Sequence, residues 1–124
     1  MKKIFGLLLV VVLCGLFTFS FAQAQVESGT WGVNRDTPGY TLDKNKGDRV
    51  MTVNVSFDNP FDVKPDIVLG VTMLDANQKT AVRYDITAMS ISRDGFTIQI
   101  KTWSETEILG IGGYWLAVAP AGME

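Results

Sequence analysis

Residues 95–115 read GFTIQIKTWSETEILGIGGYW, and this stretch opens with an alternation. Phe96, Ile98, Ile100 and Thr102 fall on one parity, Thr97, Gln99, Lys101 and Trp103 on the other. Successive side chains of a β-strand point to opposite faces, so the spacing predicts a strand with one wall in the core and one toward water. Trp103 closes the wet row, where strand position alone gives no reason for an indole. Arg93-Asp94-Gly95 supplies a tight turn just before it, since Asp-Gly readily takes positive φ.

The same period of two recurs on either side. Arg49–Phe57 predicts a strand with Met51, Val53, Val55 and Phe57 inward, and Asp66–Asp75 one with Ile67, Leu69, Val71 and Met73 on one face. Asn59-Pro60 and Lys64-Pro65 punctuate the loop between them. After a turn at Ala76–Lys79, residues 81–91 (AVRYDITAMSI) place Val82, Tyr84, Ile86 and Ala88 inward and Arg83, Asp85 and Thr87 outward. Glu105–Val118 forms a further strand, and a short one around Thr30–Val33 makes six. Short β-branched and aromatic runs between turn signals, with no helical period, predict an all-β sandwich or barrel. The polar connection 34–48 (NRDTPGYTLDKNKGD) is long for a compact domain, and long ordered loops often carry function. Gly110, Gly112 and Gly113 weaken a strand interior and mark a bulge or a close backbone approach, within the fold or across a subunit contact.

The first 24 residues read differently. Lys2 and Lys3 precede an apolar block from Ile4 to about Phe21, and Ala22-Gln23-Ala24 closes it as a small-x-small cleavage pattern. This predicts a signal peptide cut near Ala24, hence a secreted or periplasmic protein with no membrane insertion after cleavage. Cys14, the one cysteine, lies inside that block, so the mature chain has none for a disulfide. Removing the two lysines leaves nine basic against thirteen acidic residues, a net charge of −4, and no histidine. An acidic surface without a basic run argues against nucleic acid as a partner.

Catalysis finds little footing. Nucleophilic mechanisms most often want a histidine base, and the same absence removes the commonest transition-metal ligand. Glu105 and Glu107 share a strand parity, and Asp58, Asp62 and Asp66 cluster in sequence, but acidic residues are mostly solvated surface charges. Asp43–Asp48 (DKNKGD) is a poor calcium loop, since Lys44 and Lys46 stand among its would-be ligands. No catalytic residue, cofactor or metal site is therefore assigned. Trp103 and Arg83, both on wet rows, carry two readings: an edge tryptophan with Arg83 paired to Asp85 or a glutamate, or a sugar site. An indole stacks on the C–H face of a pyranose, and a planar guanidinium donates two hydrogen bonds to its hydroxyls.

The ordered set Phe57…Pro60-Phe61…Pro65, Leu74-Asp75, Arg83, Gly95-Phe96, Thr102-Trp103 with Thr106, and Trp115-Leu116-Ala117 resembles the H-type lectin domain, the family of the snail agglutinins and the discoidin C-terminal domain. The resemblance covers about 65 residues within 49–120, leaving 25–48 as an N-terminal segment and long loop. It implies a six-stranded antiparallel β-sandwich, a homotrimer, and binding of galactose-type glycans, notably N-acetylgalactosamine, at clefts between protomers. It places the family's binding arginine and tryptophan at Arg83 and Trp103. Three other family positions differ: a histidine is Ser104, an aromatic is Leu109, and an acidic residue from the long loop is Lys46, with Asp43 and Asp48 nearby to substitute. These changes predict weak binding of a free monosaccharide, stronger binding of clustered glycans, and through Lys46 an attraction for anionic sugars. The competing expectation is a structural or protein-binding module on the same scaffold, its sugar site lost.

Overall fold

The computed structural model describes residues 24–120. Apart from Ala24, the leader and Cys14 lie outside the described residues. Six strands form: β1 (Gln25–Asn34), β2 (Arg49–Ser56), β3 (Asp66–Ala76), β4 (Asp85–Met89), β5 (Gly95–Thr102) and β6 (Ile108–Ala119). They make two three-stranded sheets, ordered β1-β6-β3 and β2-β5-β4, and every pairing is antiparallel. The chain is an all-β antiparallel sandwich.

β5 behaves as its alternation requires: Phe96, Ile98, Ile100 and Thr102 are buried, and the other row is half-buried. Facing them across the core are Trp31 and Val33 of β1 and Ile111, Trp115, Ala117 and Ala119 of β6. Two loop residues, Leu42 and Phe61, are fully buried and close the two ends of this core. Trp31 satisfies its indole N–H by donating to the Tyr114 carbonyl at 3.1 Å, as a buried tryptophan requires.

Four details depart from the alternation. β1 begins at Gln25, well before Thr30, because its inward side chains there are polar and bond backbone. The Glu27 carboxylate accepts from the Asp58 and Asn59 amides at 3.0 and 3.2 Å, and Gln25 Nε2 donates to the Pro60 carbonyl at 3.1 Å. The third, Gly29, leaves room for the Trp115 indole, which a Cβ would meet at 2.6 Å. β4 begins only at Asp85, so Val82 and Tyr84 are exposed rather than inward. Their segment is captured by the hydroxyls of Thr102 and Thr106 before it can pair with β5.

The other two departures are bulges. Thr72 is the extra residue between the pairs Val71–Gly113 and Met73–Gly112, so Met73 leaves the inward parity and is exposed. Leu109 is the extra residue between Ala76–Ile108 and Asp75–Gly110, which lets Ile108 and Ile111 both face the core. Gly113 marks a close approach inside the fold, since a Cβ there would collide with the Gly70 carbonyl.

The outer faces of the sheets differ. Across β1-β6-β3 the three middle rows Ser28-Leu116-Val68, Thr30-Tyr114-Gly70 and Gly32-Gly112-Met73 carry no charge, Asp66 and Asp75 stand on the end rows, and Val68, Met73 and Tyr114 are exposed large hydrophobics. Across β2-β5-β4 the rows Val50-Lys101-Asp85, Thr52-Gln99-Thr87 and Asn54-Thr97-Met89 are mostly polar.

Candidate functional site

Register puts three connections at one end. β1 finishes at Asn34 opposite Gly110, β3 at Ala76 opposite Ile108, and Arg49 and Asp85 begin β2 and β4 beside Thr102 and Lys101. The segments 35–48, 77–84 and 103–107 therefore open together, and the candidate residues Arg83, Trp103, Ser104, Lys46, Asp48 and Asp43 all lie on them. Leu109 sits just inside β6 at the same end.

Arg83 is on the loop before β4 and not on a strand. The Thr106 hydroxyl donates to the Ala81 carbonyl at 2.6 Å and accepts the Arg83 N–H at 3.1 Å, while the Thr102 hydroxyl donates to the Arg83 carbonyl. Both threonines are fully buried. Two side chains with one donor and two acceptor sites each can thus take over backbone pairing that a strand would have supplied. The backbone so fixed aims the Arg83 side chain at the next turn, where Nη1 donates to Glu105 Oε1 at 2.8 Å. Side-chain exposures of 38% and 52% leave both partners open to solvent. The hydrogen bond from Arg83 is the main reason the Glu105 carboxyl is held below its usual 4.5. The acidic partner of Arg83 is therefore a glutamate and not Asp85.

Trp103 follows the last residue of β5 and is half-buried, whereas Trp31 and Trp115 belong to the core. Ser104 turns the chain at φ 59°, in the left-handed region that side chains other than glycine seldom adopt. The turn is held by Arg49, a residue to which sequence reasoning assigned no role. Arg49 is 7% exposed, and its guanidinium donates to three carbonyls: Gly47 at 2.9 Å, Thr106 at 2.7 Å and Ser104 at 2.6 Å. The signal was its parity, since Arg49 shares the inward row of Met51, Val53, Val55 and Phe57.

The long connection contributes unequally. One guanidinium reaches both Gly47 and Ser104, so the Lys46–Asp48 stretch adjoins the Ser104 turn. Lys46 is exposed there, and Asp48 lies 3.5 Å from Lys101. Asp43 is nearer the start of β6. Ile108 N–H donates to the Leu42 carbonyl at 2.9 Å, and the Tyr40 hydroxyl donates to the Ile108 carbonyl at 2.6 Å. Burial, helped by the Asp43 charge, pushes the Tyr40 phenol up to about 12. Among the described residues Asp43 Oδ1 is buried without a hydrogen-bond partner. The site residues therefore form two groups: Arg83, Trp103, Ser104 and Lys46–Asp48 on one side, Asp43 and the Leu109 bulge at the head of β6 on the other. Glu105 and Glu107 precede β6 instead of sharing a strand parity, and each has its own partner: Glu105 accepts from Arg83 and Glu107 from Asn77 Nδ2 at 3.2 Å. Among the described residues no cluster of three or more acidic, histidine or cysteine side chains is placed to hold a metal ion.

An indole and a guanidinium–carboxylate pair on the loops of an antiparallel sandwich suit carbohydrate binding. The H-type lectin domain matches residues 52–118, more than half of the chain, and the chain belongs to that family. In fold it is similar to recombinant discoidin II of Dictyostelium discoideum, with a TM-score of 0.71 and 21% identity over 83% of this chain and 40% of that one. Wild-type discoidin II gives 0.70 and 20%, over 82% of this chain and 38% of the other. A curated relative, ORF 7 of the ATP synthase subunits region of Fuscovulum blasticum, is 39% identical over 72 residues. That match takes in 58% of this chain and 63% of the relative.

Proposed function

We propose that the chain is a non-catalytic, exported glycan-binding module in which Trp103 stacks on a sugar ring while Arg83 and Glu105 bind its hydroxyls. The observation that carries this reading is the Arg83–Glu105 pair two residues beyond Trp103, on a turn whose backbone is fixed by buried groups. A guanidinium with N–H donors left over, beside a carboxylate with free lone pairs, offers the donor and acceptor that neighbouring sugar hydroxyls need. The Glu105 charge favours a neutral, galactose-type sugar at this position. An anionic sugar would have to be met by Lys46 instead. Ser104 and Leu109 bring less directed bonding than a histidine and an aromatic, so a free monosaccharide binds weakly and a clustered glycan better.

The reading includes self-association, as a trimer by family resemblance, through the outer face of β1-β6-β3. Three uncharged middle rows with exposed Val68, Met73 and Tyr114 support that choice, because the face over β2-β5-β4 is the more polar one. Its position beside the loop end would let a neighbour complete the site.

A glycan array with the wild type beside Trp103→Ala tests binding. Signal on galactose-type glycans that the variant loses supports the lectin reading, and a blank array for the wild type overturns it in favour of a scaffold that binds protein. Sedimentation equilibrium tests assembly, with Val68→Glu expected to shift the protein to monomer. A wild type that is monomeric at all concentrations removes the inter-protomer site.

A further inference from the structure

Arg49 is a charged side chain in a row of apolar ones, and among the described residues its hydrogen-bond partners are the carbonyls of Gly47, Ser104 and Thr106 rather than a carboxylate. Burying a cation is unfavourable unless it is fully bonded, and a well-packed apolar side chain commonly serves stability as well or better. What an apolar side chain cannot do is hold three carbonyls from two segments in one plane. The guanidinium fork does this because its donors are rigidly arranged, whereas a lysine ammonium is a single point at the end of a flexible stem. Two of the three residues whose carbonyls it holds have left-handed backbone, Gly47 at φ 74° and Ser104 at φ 59°. Ser104 has no glycine's freedom there, so its conformation needs support from outside the turn.

We propose that Arg49 is the positioning residue of the sugar site. It sets the shape of the Trp103–Glu105 turn and ties that turn to the Lys46–Asp48 end of the long connection, so that the two loops present one surface. Thr106 makes the frame continuous, since its carbonyl accepts from Arg49 while its hydroxyl holds the Arg83 loop. Arg49 thus acts on both Trp103 and Arg83 while its own side chain is shut away from solvent. The proposal rests on the glycan-binding reading for its consequence, but not for its geometry.

The test compares Arg49→Lys with Arg93→Lys in the full chain. Arg93 is a fair control, because its Nε donates to the Phe61 carbonyl at 2.8 Å at the opposite end of the sandwich. Three readouts apply: cooperative unfolding by circular dichroism, acrylamide quenching of tryptophan fluorescence, and binding to a polyacrylamide polymer carrying N-acetylgalactosamine. Trp31 and Trp115 are buried, so quenching reports chiefly on Trp103, with Trp103→Phe as the blank. Arg49→Lys is expected to unfold cooperatively, to change its quenching, and to lose about tenfold in polymer binding, the equivalent of one charge-assisted hydrogen bond. Arg93→Lys is expected to leave quenching and binding at wild-type values. Wild-type quenching in Arg49→Lys, or equal losses in the two variants, overturns the proposal. If the wild type does not bind the polymer, the sugar specificity falls and quenching still decides the role of Arg49. If Arg49→Lys does not fold, nitrogen-15 spectra of the wild-type guanidinium decide: slow Cζ–N rotation supports the strut, and free rotation overturns it.

Discussion

The two ends of the sandwich are held by different mixtures of the same forces. Away from the site, Phe57, Phe61, Phe96 and Trp115 pack with ring centroids 4.8–5.8 Å apart. At the site end the comparable task falls to Arg49, Thr102 and Thr106, whose partners are backbone atoms of the loops. Apolar packing is non-directional and fixes a core without specifying a loop's shape. Hydrogen bonds to named carbonyls fix shape and add little net stability each. Apolar burial reaches both ends, Leu42 included, but the shape of the recognition loops rests on these bonds, so changes to the two kinds of contact should have separable effects.

Phe61→Ala should show the largest effect. Phe61 is fully buried, and truncating such a ring costs about 3–5 kcal/mol, read as a lower denaturant midpoint, with glycan binding by the remaining folded molecules unchanged. Thr106→Val should come next at about 1–2 kcal/mol, because it removes two part-buried bonds, to the Ala81 carbonyl and from the Arg83 amide. Unlike Phe61→Ala, it should also lower binding per folded molecule. If both variants alter stability and binding in the same ratio, the contrast between the ends fails.

Tyr40→Phe should cost about 1 kcal/mol at neutral pH through the lost bond to Ile108, and it sharpens the contrast by pH. The folded phenol is raised from 10.0 to about 12, so its contribution is complete below the unfolded value of 10.0 and is lost as pH rises toward 12. Alkaline unfolding should therefore be less steep in Tyr40→Phe, and ultraviolet titration should lose one late tyrosinate step. Glu105→Gln should have the smallest effect on stability. The Glu105 value is depressed, so the pair contributes above the usual carboxylate value of 4.5 and fades as pH falls through the lower folded value. Melting curves of variant and wild type should converge in acid. At neutral pH Glu105→Gln should shift array binding toward acidic glycans, and an unchanged profile would sever Glu105 from specificity.

The sequence showed what repetition and parity can show. β5 was legible because every inward residue from Phe96 to Ile100 is apolar, and Arg83 and Trp103 stood out as residues unexplained by a wet row. The first half of β1 was not, because Gln25 and Glu27 face in and bind the 58–60 backbone, a pairing that no local pattern carries. Val82 and Tyr84 resemble strand residues, but the distant Thr102 and Thr106 hydroxyls bond the backbone of their segment in place of β5. Single-residue bulges at Thr72 and Leu109 re-aim Met73 and Ile108 without leaving a periodic trace. Arg49 did leave one, as a cation among apolar neighbours, but its meaning depends on carbonyls 55 and 57 residues away.

The pairing of Gln25 with Ala119 has a consequence for how the domain can be used. The polypeptide enters and leaves the sandwich at the same pole, and the Trp103 turn lies at the other. A spacer, fluorescent protein or solid support joined at either boundary therefore leaves the recognition loops facing outward. Several copies fixed in this way would present their loops in parallel, the geometry that suits a carpet of glycans.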